Sequence, residues 1–350
     1  MRSMRSDRPV LLKTSLAVFV LVAAALAAGP TRYSVAKTYP VGGDGGWDYL
    51  TFDTGANRVF ISRGTHVVVM DADSGKVLGD IPDTPGVHGI ALAPELGRGF
   101  ISSGRANSVT IFDLKDLHKI GEAKTGEGPD AIAYDPVSKR VFTFNGRGHD
   151  TTAIDAASGA VAGSLPLGGK PEFAAADGKG RIYVNIEDKS ELVALNTQTL
   201  KEEKRWPIKG CEEPSGLAMD REHRRLFAGC GNKVMAVVNA DTGDVVATLP
   251  IDAGVDANAF DPGTQLAFSS NGSGTLTVVH EDSPDKYTVV HSLETARGAR
   301  TMALDPNTHR IFLVTAEFGL PPAATAENPR PRPTMVPGSF KVLVAELSGK

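Results

Sequence analysis

A phrase close to Gly-x-Asp-Ala-x-Ala-x-Asp-Pro, followed after a short turn by an apolar run with an aromatic at its centre, returns seven times along the chain. Aligned on the residue that closes the phrase, the copies fall at Asp53, Ala93, Asp135, Asp177, Asp220, Asp261 and Asp305, so successive repeats start 40, 42, 42, 43, 41 and 44 residues apart. Six or seven residues further on stand Phe60, Phe100, Phe142, Tyr183, Phe227, Phe268 and Phe312. A period of about 40–45 residues that divides into four short strands is what propeller blades require, because one such sheet cannot bury its apolar faces until neighbours stack on it. The expectation is an all-β, seven-bladed β-propeller with four-stranded blades, a single domain over residues 29–350. A propeller as such dictates no chemistry, so function has to be sought on its faces and along its axis.

Residues 1–28 stand outside the repeat. Arg2, Arg5, Arg8 and Lys13 precede an apolar stretch from Leu16 to Ala28 that ends in small residues, the pattern of a secretory signal peptide. Export to the periplasm or beyond is therefore expected. The stretch is short for a membrane span, so none is expected after cleavage; an uncleaved anchor is the alternative. The whole chain has a net charge of -4, and without residues 1–27 it keeps 33 basic against 40 acidic groups. An acidic chain with no Lys/Arg run and no interleaved aromatics argues against nucleic acid as a partner. A monomer is expected.

Within a repeat the strand pattern is regular. In the fifth, Ser215–Met219 reads as the inner strand, Arg225–Cys230 as its antiparallel partner, Lys233–Asn239 as the third strand and Val245–Pro250 as the outer edge. The turn between third and fourth strands carries Asp-x-x-Ser-Gly at Asp71–Gly75 and Asp155–Gly159, and Asn-x-x-Thr-Gly at Asn239–Gly243, a turn chemistry that outweighs the superficial likeness of Asp71–Gly75 to a calcium loop. The last repeat has inner strands at Thr301–Leu304 and Arg310–Thr315 and a third at Phe340–Glu346, after which the chain ends. Its missing edge strand is predicted to be Tyr33–Val41, which would close the ring and cover two exposed sheet edges.

Several local phrases add a likeness. Pro129-Asp130, Pro171-Glu172 and Pro214-Ser215 lead into inner strands, Asp-Pro turns follow at Asp135, Asp261 and Asp305, and Phe142-Thr-Phe-Asn145 and Phe268-Ser-Ser-Asn271 are similar to Tyr-Val-Thr-Asn. In these features residues 33–347 resemble the bacterial YVTN-type, YncE-like seven-bladed propellers, WD40-like in architecture. The resemblance implies a secreted binding or scaffold protein and carries no shared catalytic signature.

Strand order puts the loops leading into each inner strand on one face, here called the upper face. Five residues before each alignment point lie Asp48, His88, Asp130, Glu172, Ser215, Asp256 and Arg300, predicted to ring the mouth of the axial channel. Converging carboxylates repel one another and call for a cation. A divalent metal, calcium or magnesium, held by Asp130, Glu172 and Asp256 with Asp48 nearby, is one solution, and His88 adds capacity for a transition metal. The alternative is a solvated ring in which Arg300 pairs with Asp256 and Asp48. A second layer on this face comprises Arg63 and His66, Arg105 and Asn107, Asn145 with His149 and Asp150, Asn185 with Glu187, Asn271 and Glu317; for the asparagines a turn or strand-capping role competes with ligand contact.

Cys211 and Cys230, at neighbouring upper loops of one repeat, predict a disulfide in an oxidising compartment, over a free pair or a metal role. The glycine-rich segment 42–46 reads as a flexible loop leading into the first inner strand. Residues 317–337 interrupt the last repeat with six prolines, a lid or docking arm or else a tolerated insertion, with Arg330 and Arg332 above the acidic mouth. No nucleophile elbow, zinc-protease motif or phosphate loop is present. These features predict a binding or scaffold propeller that offers its acidic upper face to a small molecule, a metal or a protein. The rival is a metal-dependent hydrolase of the lactonase sort, or an oxidoreductase accessory, with His88 as general base.

Overall fold

The computed structural model describes residues 32–323, 325, 331 and 333–348. The segment read as a signal peptide and the arginines at 330 and 332 lie outside them. Among the described residues there are seven four-stranded antiparallel sheets, each but the last made of four consecutive strands. In blade 5 these are Pro214–Asp220, Arg225–Cys230, Val234–Asn239 and Val245–Pro250. Blade 7 is composite: Met302–Asp305, Arg310–Thr315 and Lys341–Ser348 are completed by Arg32–Pro40, which pairs antiparallel with Lys341–Ser348. The predicted ring closure is thereby found. No helix among the described residues is long and apolar enough to cross a membrane.

The repeated aromatic explains the stacking. Phe60, Phe100, Phe142, Tyr183, Phe227, Phe268 and Phe312 are all fully buried, and each apolar cluster draws on adjoining blades, as where Phe60, Val67 and Val69 of blade 1 meet Ile90, Ile101 and Phe112 of blade 2. Burial of one such ring contributes about 1.5–3 kcal/mol. Two residues before the aromatic, blades 1, 2, 3, 5 and 7 carry an arginine that clasps the next blade, whereas the equivalent Arg181 of blade 4 bonds Glu203 of its own blade. Arg98 donates to the carbonyl of Ala156 (3.1 Å), Arg140 to those of Thr197 and Gln198 (2.8 and 2.9 Å), and Arg225 to that of Pro284 (2.8 Å). Arg310 of blade 7 reaches Asp73 of blade 1 at 2.6 Å, so the clasp also spans the closure. Blade 6 has Leu266 in this place.

The glycine-rich segment before blade 1 is pinned. The guanidinium of Arg63, 1 % exposed, donates to the carbonyls of Gly42, Gly43, Asp44 and Gly45 at 2.9–3.2 Å and lies 3.6 Å from the ring centre of Phe340. The left-handed φ values of Gly42, Gly43 and Gly45 let successive carbonyls turn toward one cation. Arg63 is thus a structural element of the closure and does not line the rim.

Candidate functional site

The rim is built by a repeated irregularity. Where each inner strand of blades 2–6 begins, one extra residue is inserted: Pro129 pairs with Asn145 but Ile132 pairs with Thr143, and the same slip follows Val87, Pro171, Pro214 and Val255. Such bulges re-aim side chains. They point His88, Asp130, Glu172, Ser215 and Asp256 at the axis, while Asp48 and Arg300 lie just ahead of their inner strands. Buried serines take up amides that the irregular backbone leaves unpaired: Asp48 N–H donates to Ser62 Oγ (2.9 Å) and Gly89 N–H to Ser102 Oγ (2.8 Å).

The mouth opens into a cup of about 590 Å³. Its wall carries six carboxylates, those of Asp48, Asp130, Glu172, Glu187, Glu213 and Asp256, against two cations, Lys170 and Arg300. The rim residues divide into three groups. His88 Nδ1 lies 2.5 Å from Asp48 Oδ2 and 3.5 Å from Asp130 Oδ1, which links blades 1, 2 and 3. Lys170 Nζ pairs with Glu172 at 2.6 Å and also with Glu187. Arg300 stands 3.7 Å from Asp256. Gly104 makes room for the imidazole, since a Cβ there would sit 2.9 Å from the His88 ring.

Desolvation dominates the electrostatics. Burial pushes Asp256 up to about 6; Arg300 opposes this, and the charges of Asp48 and Asp130 add to it. Burial likewise raises Asp130, with His88 opposing and Asp48 adding to it, and raises Glu172, where the charge of Asp130 adds to it and Lys170 opposes it. Burial alone would lower His88, but its hydrogen bond to Asp48 and the charges of Asp130, Asp48 and Glu172 hold its pKa above the usual value. An imidazole so placed is biased toward its charged form.

The floor was not foreseen. One residue beyond the rim, blades 1 and 4 supply Tyr49 and Phe173, whose rings stack at 4.5 Å and 25° across the axis. At the same place the other blades have Gly89, Ala131, Gly216, Ala257 and Thr301. The small residues are required: a Cβ on Gly216 would come within 2.7 Å of the Asn258 nitrogen in the next blade. Tyr49 Oη and Asp256 Oδ2 are buried without a hydrogen-bond partner. Burial, with the charges of Asp130, Asp48, Glu172 and Asp256, raises the Tyr49 hydroxyl far above its ordinary value.

Other residues singled out from the sequence are placed elsewhere. Asn145 and Asn271 are fully buried inside their blades, their amides donating to Asp150 (2.6 Å) and Thr152 (3.0 Å), and to Thr277 (3.0 Å). Asn185 ties Ser215 O across to blade 4 at 3.0 Å. Of the second layer, Glu187 alone lines the cup. Glu172 and Asp256, proposed with Asp130 as metal ligands, fall into separate groups; the ligand atoms within 4.8 Å of one another are those of Asp48, His88 and Asp130. Lys170 and Glu213 were not singled out as cup residues, because they lie two residues ahead of the rim positions Glu172 and Ser215, outside both sets of residues named from the sequence. Cys211 and Cys230 form a disulfide with Cα atoms 5.4 Å apart, next to Glu213 on the cup wall. The Pro-rich loop is tied at its base by the pairing of Phe318 with Met335, and Phe318 and Pro333 flank Arg300 beside the mouth.

No described protein family and no curated protein is similar to the sequence. Solved structures are similar in fold. The RRP9 WD40 repeats superpose with a TM-score of 0.76 at 9% identity over 91% of this chain and 99% of that one. U3-55K gives 0.73 at 9% over 89% and 99%, and a chain of the mitotic checkpoint complex 0.73 at 14% over 96% and 99%. At such identities the likeness is one of fold. The chain is a seven-bladed β-propeller of the architecture seen in WD40-repeat proteins.

Proposed function

We propose that this protein is an exported binding propeller whose axial cup takes a cationic group, an amine or guanidinium borne by a small molecule or by a protein partner. One observation carries the reading: within a wall of six carboxylates and two cations, Asp256 Oδ2 and Tyr49 Oη are buried with nothing to bond. A bound ammonium would supply the missing donors and charge, and the stacked Tyr49 and Phe173 would cover its alkyl portion. A bare calcium or magnesium ion would use the carboxylates but not the aromatic floor. Export is supported by the charged-then-apolar N-terminal pattern and by the Cys211–Cys230 bond. Kinship to the YVTN-type propellers is supported by the phrases at Phe142–Asn145 and Phe268–Asn271. The base of the Pro-rich loop beside Arg300 suits a docking arm.

Spermidine titrated calorimetrically into the chelator-treated protein is the test. One molecule is expected to bind per chain, with affinity that falls as salt rises and drops at least tenfold in the Glu172→Gln, Asp256→Asn double variant. Absence of binding, or binding indifferent to both changes, would sink the proposal. The hydrolase reading retains one favourable observation, the closeness of Asp48, His88 and Asp130. It requires a stoichiometric metal in purified protein, which elemental analysis detects.

A further inference from the structure

On the lower face, where blade 5 meets blade 6, a second group of ligand-type side chains converges far from the cup. Asp220 ends the inner strand of blade 5, His223 lies in the turn that follows, and Glu281 belongs to the third strand of blade 6, Thr275–Ser283. Their ligand atoms lie within 4.8 Å of one another. His223 Nδ1 donates to Asp220 Oδ2 at 2.7 Å and sits 3.3 Å from Glu281 Oε1. His223 is about one-third exposed and forms the lip; Asp220 and Glu281 behind it are 2 and 3 % exposed.

Glu281 breaks the rule of its place in the repeat. Its N–H bonds Gln265 O, the lower-face turn carbonyl of its own blade, and the same backbone bond is made in other blades by Ala72, Leu114, Ala156, Thr197 and Ala240. Five apolar or small side chains thus correspond to one glutamate, in an equally buried position. Both of its carboxylate oxygens lack a hydrogen-bond partner. The adjacent guanidinium of Arg225 does not satisfy them, because its N–H groups are given to Pro284 O, Asp285 and the carbonyls of His223 and Arg224. A buried carboxylate left with open acceptors is destabilising unless something fills them.

We propose that Asp220, His223 and Glu281 hold a divalent transition-metal ion of the zinc or manganese kind. One imidazole and two carboxylates form a mixed nitrogen and oxygen set suited to such ions, whereas calcium takes six to eight oxygens. Three protein ligands leave the outer coordination position to solvent at the His223 lip. The positive charge of Arg225 keeps the affinity below that of an all-acidic site. The ion fastens the turn of blade 5 to the outer hairpin of blade 6.

The test uses Zn²⁺ alone on the full chain after chelation, in an Asp130→Asn background that removes the upper-face group. One equivalent is expected to bind and to raise the melting temperature. Adding Glu281→Gln or, separately, His223→Ala is expected to weaken binding at least tenfold and to abolish the thermal shift, with circular dichroism confirming the fold. His223→Ala changes a surface turn, so it remains informative if the glutamine variant folds poorly. No bound equivalent in the background protein, or unchanged binding in the folded variants, overturns the proposal. Spermidine binding reports on the opposite face, so failure of either reading leaves the other intact.

Discussion

Outside the Asp220, His223 and Glu281 group, the two rims of this propeller carry the same residue types and treat them in opposite ways. On the lower rim Asp53, Asp177, Asp261 and Asp305 each accept the N–H two residues ahead, Asp135 accepts that of Ser138, and Asp53 and Asp305 also hold the clasp arginines Arg58 (2.9 Å) and Arg310 (3.0 Å). There the carboxylate is how the turn is made. On the upper rim Asp256 keeps a buried oxygen with no partner, and Asp130 and Glu172 are crowded by like charge. Folding gains nothing from that arrangement. A side chain whose removal would help the fold is the better candidate for function than one on which the fold depends.

The comparison can be broken most directly at Asp305. Asp305→Ala removes the turn acceptor and one of the two carboxylates on Arg310, leaving Asp73 as the other, and is expected to cost about 1–3 kcal/mol of folding stability in chemical denaturation. A loss comparable to that of a surface change would show that the lower rim is not structural. Asp256→Asn on the other rim is expected to act with the opposite sign, stabilising by about 1–3 kcal/mol at pH 8 while weakening cation binding.

The pH profile sharpens the same contrast. Asp256 rises from its ordinary 3.8 to about 6 in the folded chain, so between those values the native state binds more protons than the unfolded one. Its contribution to stability is therefore present below pH 3.8 and is lost as pH rises through about 6. His88, also raised, contributes stability below its unfolded value that is lost as pH rises further. Asp305 behaves in reverse. Burial raises it, but hydrogen bonds from Thr308, Asn307 and Arg310 outweigh burial and lower it, so its contribution is full above the unfolded value and disappears only in stronger acid. The denaturation midpoint is expected to decline from pH 5 to pH 7 in the native protein and to decline less steeply in Asp256→Asn, where Asp130 and Glu172 remain raised. A rising midpoint over that range would contradict the desolvated upper rim. The smallest effect belongs to neither rim: Glu122→Gln on an outer strand breaks exposed pairs with Lys119 (2.7 Å) and Lys124 (3.1 Å) and should shift stability by under about 0.5 kcal/mol.

What was legible in the sequence followed from the period. Spacing located every blade, the closing strand and the rim positions, because each is fixed by one residue type at one phase of the repeat. The arginine clasp is written as Arg-x-Phe at Arg58, Arg98, Arg140, Arg225 and Arg310, but the same phase also gives Arg181 before Tyr183, which bonds Glu203 of its own blade. The Tyr49–Phe173 floor was not, since each aromatic is ordinary within its own blade and only closure of the ring brings them face to face. Arg63 read as a surface cation because nothing local says that four carbonyls will wrap it. Asn145 and Asn271 occupy upper loops by phase, but their amides turn inward to neighbouring threonines. Position in a repeat predicts where a backbone goes; where the side chain goes depends on partners from other repeats.

The composite last blade also governs when this chain can finish folding. Arg32–Pro40 is synthesised long before its pairing partner Lys341–Ser348, and the Phe340 ring against Arg63 arrives with that partner. Such a long-range contact makes the closing step slow, and until it happens six complete sheets stand in an open arc with unpaired edges. Until Lys341–Ser348 pairs with Arg32–Pro40, those unpaired edges are where the chain is exposed to aggregation.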